Sequence, residues 1–225
     1  MPHSQRPRAL PCPTLRLTFI LHPVPGGTDA RLRRVPDAAH PSHQRVRDFA
    51  ARRGVSIDIV VFDESTHTAQ EAAAAIGAEL GQIVKSLVFV SPGPRRDRAA
   101  SFEDGASDGV PTPEDDALDA VIALVSGTDR VDIGRLSEAA SRSNLRRASA
   151  SEAALATGFV IGGIPPFAHQ RPLPVIMDPR LTAYAEVWAA AGTPNAVFRL
   201  DPRTLAALSD AVIAPCARTP PMEHP

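Results

Sequence analysis

Of the 24 lysines and arginines in the chain, one is a lysine: Lys85, within "ELGQIVKSLVFV" at 79–90, at the mouth of an apolar, β-branched run. An ammonium there is a compact point charge that a guanidinium does not reproduce, which marks it as a candidate functional group. The competing reading is a strand-end lysine whose stem covers apolar surface while its charge reaches water. A second candidate is "TGFVIGGIPPFAH" at 157–169. Gly162 and Gly163 free the backbone for a left-handed turn or a close approach, and Pro165 and Pro166 stiffen the exit. Such a loop can aim backbone N–H groups at a carbonyl or an oxyanion. A plain tight turn between strands would look the same. No Gly-Lys-Ser/Thr follows, so it is not a phosphate-cradling P-loop. His67 and His169 are the histidines nearest these segments. With neither His-Glu-x-x-His spacing nor companion cysteines they do not make a metal site, and no cofactor is implied. Asp63, Asp129 and Asp178 read as turn and cap residues.

These residues need elements to hold them. "SHQRVRDFAARRG" predicts a helix with Ser42 as N-cap and Gly54 as stop, and "VSIDIVVF" predicts a strand. "STHTAQEAAAAIGA" predicts a second helix ending at Gly77, and the strand carrying Lys85 follows. "DAVIALVSG" is the next strand, then two short helices in "RVDIGRLSEAAS" and "RRASASEAALATG". After the glycine loop come the strand "LPVIMD", a helical "PRLTAYAEVWAAAG", the strand "AVFRL", the helix "DPRTLAALSD" and a last strand "AVIAPCA". This irregular mixture lacks the βαβ rhythm of a doubly wound sheet and predicts an α+β fold. Residues 1–40 are dense in proline, predicting a poorly ordered extension. Residues 41–217 form the expected single domain. It is interrupted at about 91–116 by a low-complexity stretch read as a flexible loop, and 218–225 is read as a tail.

Composition narrows the function classes. With 225 residues, 44% hydrophobic content and a net charge of −1, the chain can bury one good core. The balanced charge gives no global footprint for a nucleic acid, so binding one would need a local patch. Cys12 and Cys216 lack metal or redox spacing, which predicts a reducing, cytoplasmic setting. "LTFILH" at 17–22 is too short to span a membrane.

Taken in order, "TAQEAAAAIGAELGQIVKSLVF", "ALVSGTDRVDIGRLSEA", "ATGFVIGGIPPFAH", "LPVIMD" and "AAAGTPNAVFRLDPRTLAAL" resemble the YbaK/prolyl-tRNA-synthetase-associated editing family over roughly residues 42–217. The resemblance implies an α+β fold on a barrel-like mixed sheet with surrounding helices. It also implies a trans-editing deacylase that hydrolyses the ester of a mischarged tRNA, tRNA-Pro carrying a small amino acid being the first choice. Lys85 matches the family's key lysine, and Gly162 to Pro166 its Gly-x-x-x-Pro loop. The implied catalytic groups are Lys85 and the Gly162 backbone; the implied substrate-binding residues are Ser86, Gly163, Ile164, Pro165, Pro166, His169 and Gly192. The implied partners are the 3′ end of an aminoacyl-tRNA and a synthetase, with no membrane; monomer and dimer both stay open. Where cysteine-handling branches carry Ser-Ala-Gly, this chain has Ala190-Ala191-Gly192, and Ala196 and Val197 replace an expected acid. An apolar floor follows, suited to a small aliphatic acyl group. Two rivals stand beside this reading: a non-catalytic module that binds tRNA ends or docks on a synthetase, and a structural domain whose lysine only covers apolar surface.

Overall fold

The computed structural model describes residues 32–34, 40–62, 68–91 and 119–218. Most of the expected extension and nearly all of the loop and tail, together with Asp63 and His67, lie outside the described residues. Helix α1 (Pro41–Arg52) starts with Pro41 in its first turn, and the His40 ring, rather than Ser42, caps it by accepting from the Ser42 N–H at 3.1 Å. It buries His43, Val46 and Ala50 along one stripe. Strand β1 (Leu32–Arg34) pairs with β2 (Ile59–Phe62), which covers only the second half of the predicted strand. Helix α2 (Ala69–Ile76) is capped by Thr68 and stopped by Gly77 in the left-handed region.

Strands β3 (Val84–Ser91) and β4 (Asp119–Ser126) form an antiparallel ladder running from Val84–Ser126 to Ser91–Asp119. Helix α3 (Ile133–Ala140) follows, then a two-residue strand β5 (Arg146–Arg147) on the free edge of β3. Helix α4 (Ala150–Thr157) opens with the Ser149–Glu152 capping box. Strand β6 (Val175–Met177) runs parallel to β4. Strands β7 (Val187–Ala190) and β8 (Ala196–Leu200) form a hairpin, helix α5 (Pro202–Leu208) is capped by Asp201, and β9 (Val212–Ile213) lies parallel to β6.

Two segments depart from expectation. "PRLTAYAEVWAAAG" is not a helix: a 3-10 turn over Pro179–Ala183 leads into β7. Its alanines favour helix locally, but pairing with β8 and burial of Val187, Trp188 and Ala189 outweigh that preference. Arg146 and Arg147, read as the opening of α4, pair instead with Val90 and Phe89.

The strands make a four-stranded sheet, β1-β2-β8-β7, and a five-stranded mixed sheet, β5-β3-β4-β6-β9. The α+β expectation holds. The barrel-like sheet is instead two sheets that do not close on each other, linked among the described residues by the single parallel bridge Ile83–Trp188. The main core lies between them, with Ile59, Ile122, Leu124, Met177, Phe198 and Leu205 at 2% exposure or less. No helix among the described residues is long and apolar enough to cross a membrane.

Candidate functional site

Period-2 alternation along β3 sends Val84, Val88 and Val90 into the main core and Phe89, with Leu87, into the cluster under α3. Lys85 shares parity with Leu87 and sits at the strand mouth. Its ammonium is not lifted into water. It donates to the Gly127 carbonyl at 3.0 Å and to the Asp129 carbonyl, both in the turn after β4. An ammonium has three N–H donors, so these two bonds fix its direction and leave one for a ligand. Burial lowers the Lys85 pKa; Asp129 opposes the shift, and Arg147 and Arg130 add to it.

The glycine loop is built differently at its two glycines. Gly162 has φ +89°, which an L side chain rarely adopts, while a Cβ there would lie 3.4 Å from Pro194 Cβ. Gly163 is excluded from bearing a side chain by packing: a Cβ would lie 2.7 Å from the Thr193 backbone. The Gly163 N–H closes the turn onto the Val160 carbonyl at 3.0 Å, and the Gly192 N–H donates to the Gly163 carbonyl at 3.0 Å. Among the described residues the Gly162 N–H has no hydrogen-bond partner.

Lys85 and Gly162 line one cavity of about 230 Å³ between the sheets, with Ser86 and Ile164. Val84 and Val88 of β3, Trp188, Ala189 and Ala190 of β7, and Ala196 and Val197 of β8 make its apolar wall, and Ile161 and Pro194 stand beside Gly162. The expected replacement of polar groups by Ala190, Ala196 and Val197 therefore falls on the cavity wall. The Ser86 hydroxyl oxygen is buried and has no hydrogen-bond partner among the described residues.

The remaining expected residues lie behind this surface. Gly163, Pro165 and Pro166 are buried in the loop and do not line the cavity. His169 lies 2.8 Å through Nε2 from the Pro165 carbonyl and meets Phe159 edge-on at 6.4 Å, so it braces the proline turn. Burial lowers its pKa to about 4, against the opposing effect of the Pro165 carbonyl. Gly192, at φ +105°, passes so close to Ser42 that a Cβ would lie 2.7 Å from it. Sequence reasoning missed Arg147 and Thr68, which also line the cavity. Arg147 was hidden because "RRASASE" looks like a helix start, and Thr68 because its hydroxyl reads as the cap it also is. No group of three His, Cys, Asp or Glu residues among the described residues could hold a metal.

The site supplies a half-buried ammonium, an unpartnered backbone N–H and a small apolar chamber. That combination can orient a polar, anionic or carbonyl-bearing group while enclosing a small side chain. Comparisons with known proteins place the chain in a family. A family model described as the aminoacyl-tRNA editing domain matches residues 63–208. A crystal structure of a candidate trans-editing enzyme for prolyl tRNA synthetase is 40% identical, with a TM-score of 0.64, covering 81% of this chain and 100% of that one. The crystal structure of hypothetical protein APE2540 is 25% identical, with a TM-score of 0.62, covering 77% and 99%. The uncharacterized protein YwhH of Bacillus subtilis (strain 168) is 28% identical over 152 residues, 68% of this chain and 81% of its own. By the extent of the model match and the 40% identity to a fully covered solved structure, the chain belongs to the aminoacyl-tRNA editing domain family.

Proposed function

We propose that this protein is a trans-editing aminoacyl-tRNA deacylase, active in the cytoplasm on a mischarged tRNA, with tRNA-Pro carrying a small aliphatic amino acid as the preferred substrate. The observation that carries the reading is the meeting of Lys85 and Gly162 on a small chamber walled by Ala189, Ala190, Ala196 and Val197. The acyl side chain enters that chamber, whose size admits a short aliphatic group. The third donor of Lys85 meets the phosphate or the carbonyl region of the terminal aminoacyl-adenosine. The Gly162 N–H faces the acyl carbonyl, where negative charge develops as the ester is attacked.

The net reaction adds water across the ester. A bond forms between the incoming oxygen and the acyl carbon, the acyl–ribose C–O bond breaks, and the ribose oxygen takes the proton. A ribose oxygen is a competent leaving group, so positioning and electrostatics can suffice without a side-chain nucleophile. The prolyl-tRNA-synthetase connection of the 40%-identical structure supports tRNA-Pro and a synthetase partner. Release of free amino acid from a panel of mischarged tRNAs tests the reading. Multiple turnovers on at least one small aliphatic acyl group support it, whereas binding without turnover would favour a non-catalytic tRNA-end module.

A further inference from the structure

We propose that Arg180 is a positioning residue for Lys85, acting through the turn that follows β4. The two carbonyls holding the ammonium, Gly127 and Asp129, belong to that turn. Its Asp129 side chain, 13% exposed, receives Arg180 Nη1 at 3.0 Å. Arg180 Nε reaches Asp178 Oδ1 at 3.2 Å, and Nη2 donates to the Arg218 carbonyl at 2.9 Å. Asp178 is itself fixed, since its other oxygen accepts the Cys216 and Ala217 N–H groups at 3.0 and 2.8 Å. The Arg218 N–H returns to the Arg130 carbonyl at 2.8 Å. One guanidinium thus ties the turn to a buried carboxylate and to the C-terminal segment, a task that needs its planar set of donors.

The arrangement has an electrostatic side. The charged groups acting on Lys85 are Asp129 of the turn that holds it, Arg130 next to Asp129 and Arg147 of β5. Asp129 is the carboxylate among them, and Arg180 holds it. Without that partner, the negative charge of Asp129 is left uncompensated near the ammonium and is free to draw on the one N–H that the two carbonyls leave. Arg180 therefore keeps Lys85 both aimed and open to a ligand. The consequence for turnover rests on the deacylase reading; the consequence for Lys85 itself does not.

A chain with one lysine gives one Hε–Cε lysine correlation when labelled with ¹³C-lysine, so Lys85 can be followed without chemical modification. In Arg180→Gln the correlation is expected to shift and its titration midpoint to rise by about 0.5 unit or more as Asp129 loses its partner, and deacylation to fall at least about tenfold. In the double variant Arg180→Gln/Asp129→Asn the midpoint is expected to return to or below the native value, a coupling between contacting groups. Should Arg180→Gln not fold, Asp129→Asn alone is expected to lower the midpoint. A midpoint unchanged or lowered in folded Arg180→Gln, or unmoved in Asp129→Asn, would overturn the proposal. A native protein inactive on every mischarged tRNA would sink the deacylase reading instead, while the titration still decides the role of Arg180.

Discussion

His43 Nε2 lies 2.8 Å from the Thr193 hydroxyl, across 150 residues of chain, and this contact joins the first helix to the back of the glycine loop. Thr193 gives its proton to Asn195 Oδ1 at 2.9 Å, so the histidine is the donor. Asn195 in turn is locked to β2, donating from its side chain to the Phe62 carbonyl and accepting the Phe62 N–H at 2.8 Å. The Thr193 backbone is what Gly163 packs on, and Pro194 is what faces Gly162. Helix α1, which precedes the segment matched by the family model, therefore helps to set the shape of the site.

His43→Leu should lower stability by about 1–2 kcal/mol, the cost of leaving a half-buried hydroxyl network incomplete, and should raise KM for the aminoacyl-tRNA. His43→Gln keeps an amide donor at similar reach and should recover most of both losses. Urea melts and steady-state kinetics on the two variants check this; equal behaviour of Leu and Gln would show that the ring matters only as volume.

Gly162 and Gly163 should fail for different reasons. Gly162→Ala forces an L residue to φ +89°, a cost of about 1–2 kcal/mol, and sets a methyl against Pro194 of the cavity lining, so activity should fall further than stability explains. Gly163→Ala must push the Thr193 backbone away and should lose mainly stability. Activity measured well below each melting temperature separates the two. The family's Gly-x-x-x-Pro pattern fixes the first glycine and leaves the second position variable; the packing on Thr193 makes the second intolerant of a side chain as well.

His43 and His169 both have pKa values lowered to about 4 from 6.5, burial being the main cause in each. Between those values the unfolded chain binds more protons than the folded one, so stability rises with pH. The contribution is fully present above about 6.5, declines as acid is added and is gone below about 4. Between pH 7 and pH 5 the loss should be on the order of 2 kcal/mol per ring. Urea midpoints at the two pH values should show it, and His43→Gln should remove about half of the difference.

Ala190→Leu places three more carbons against the chamber. Larger acyl groups should be rejected more strongly than alanyl, by about 1–3 kcal/mol per methylene lost to the clash. Competition between tRNAs carrying alanine and 2-aminobutyrate reads the ratio directly, and an unchanged ratio would move the acyl pocket elsewhere.

Part of the candidate site was legible because composition and local chemistry point to it. In an arginine-rich chain Lys85 announces itself, and a Gly-Gly-x-Pro-Pro run leaves few conformations open. The caps at Thr68, Gly77 and Gly158 follow from the same local rules. What could not be read is what depends on distant pairing. The carbonyls that hold Lys85 are more than 40 residues away, and β7 hides in an alanine-rich segment that becomes a strand only beside β8. Arg147 reaches the cavity only because β5 pairs with β3.

The most direct test of the central claim is turnover of mischarged tRNA-Pro by native protein and by Lys85→Ala at matched stability. The account predicts multiple turnovers by the native protein and a fall of at least about 10²-fold in the variant, the usual cost of removing one preorganised donor or charge. Lys85→Arg should also be impaired, since a planar guanidinium cannot take the two-carbonyl seat of an ammonium. Native-like turnover by folded Lys85→Ala would contradict the account.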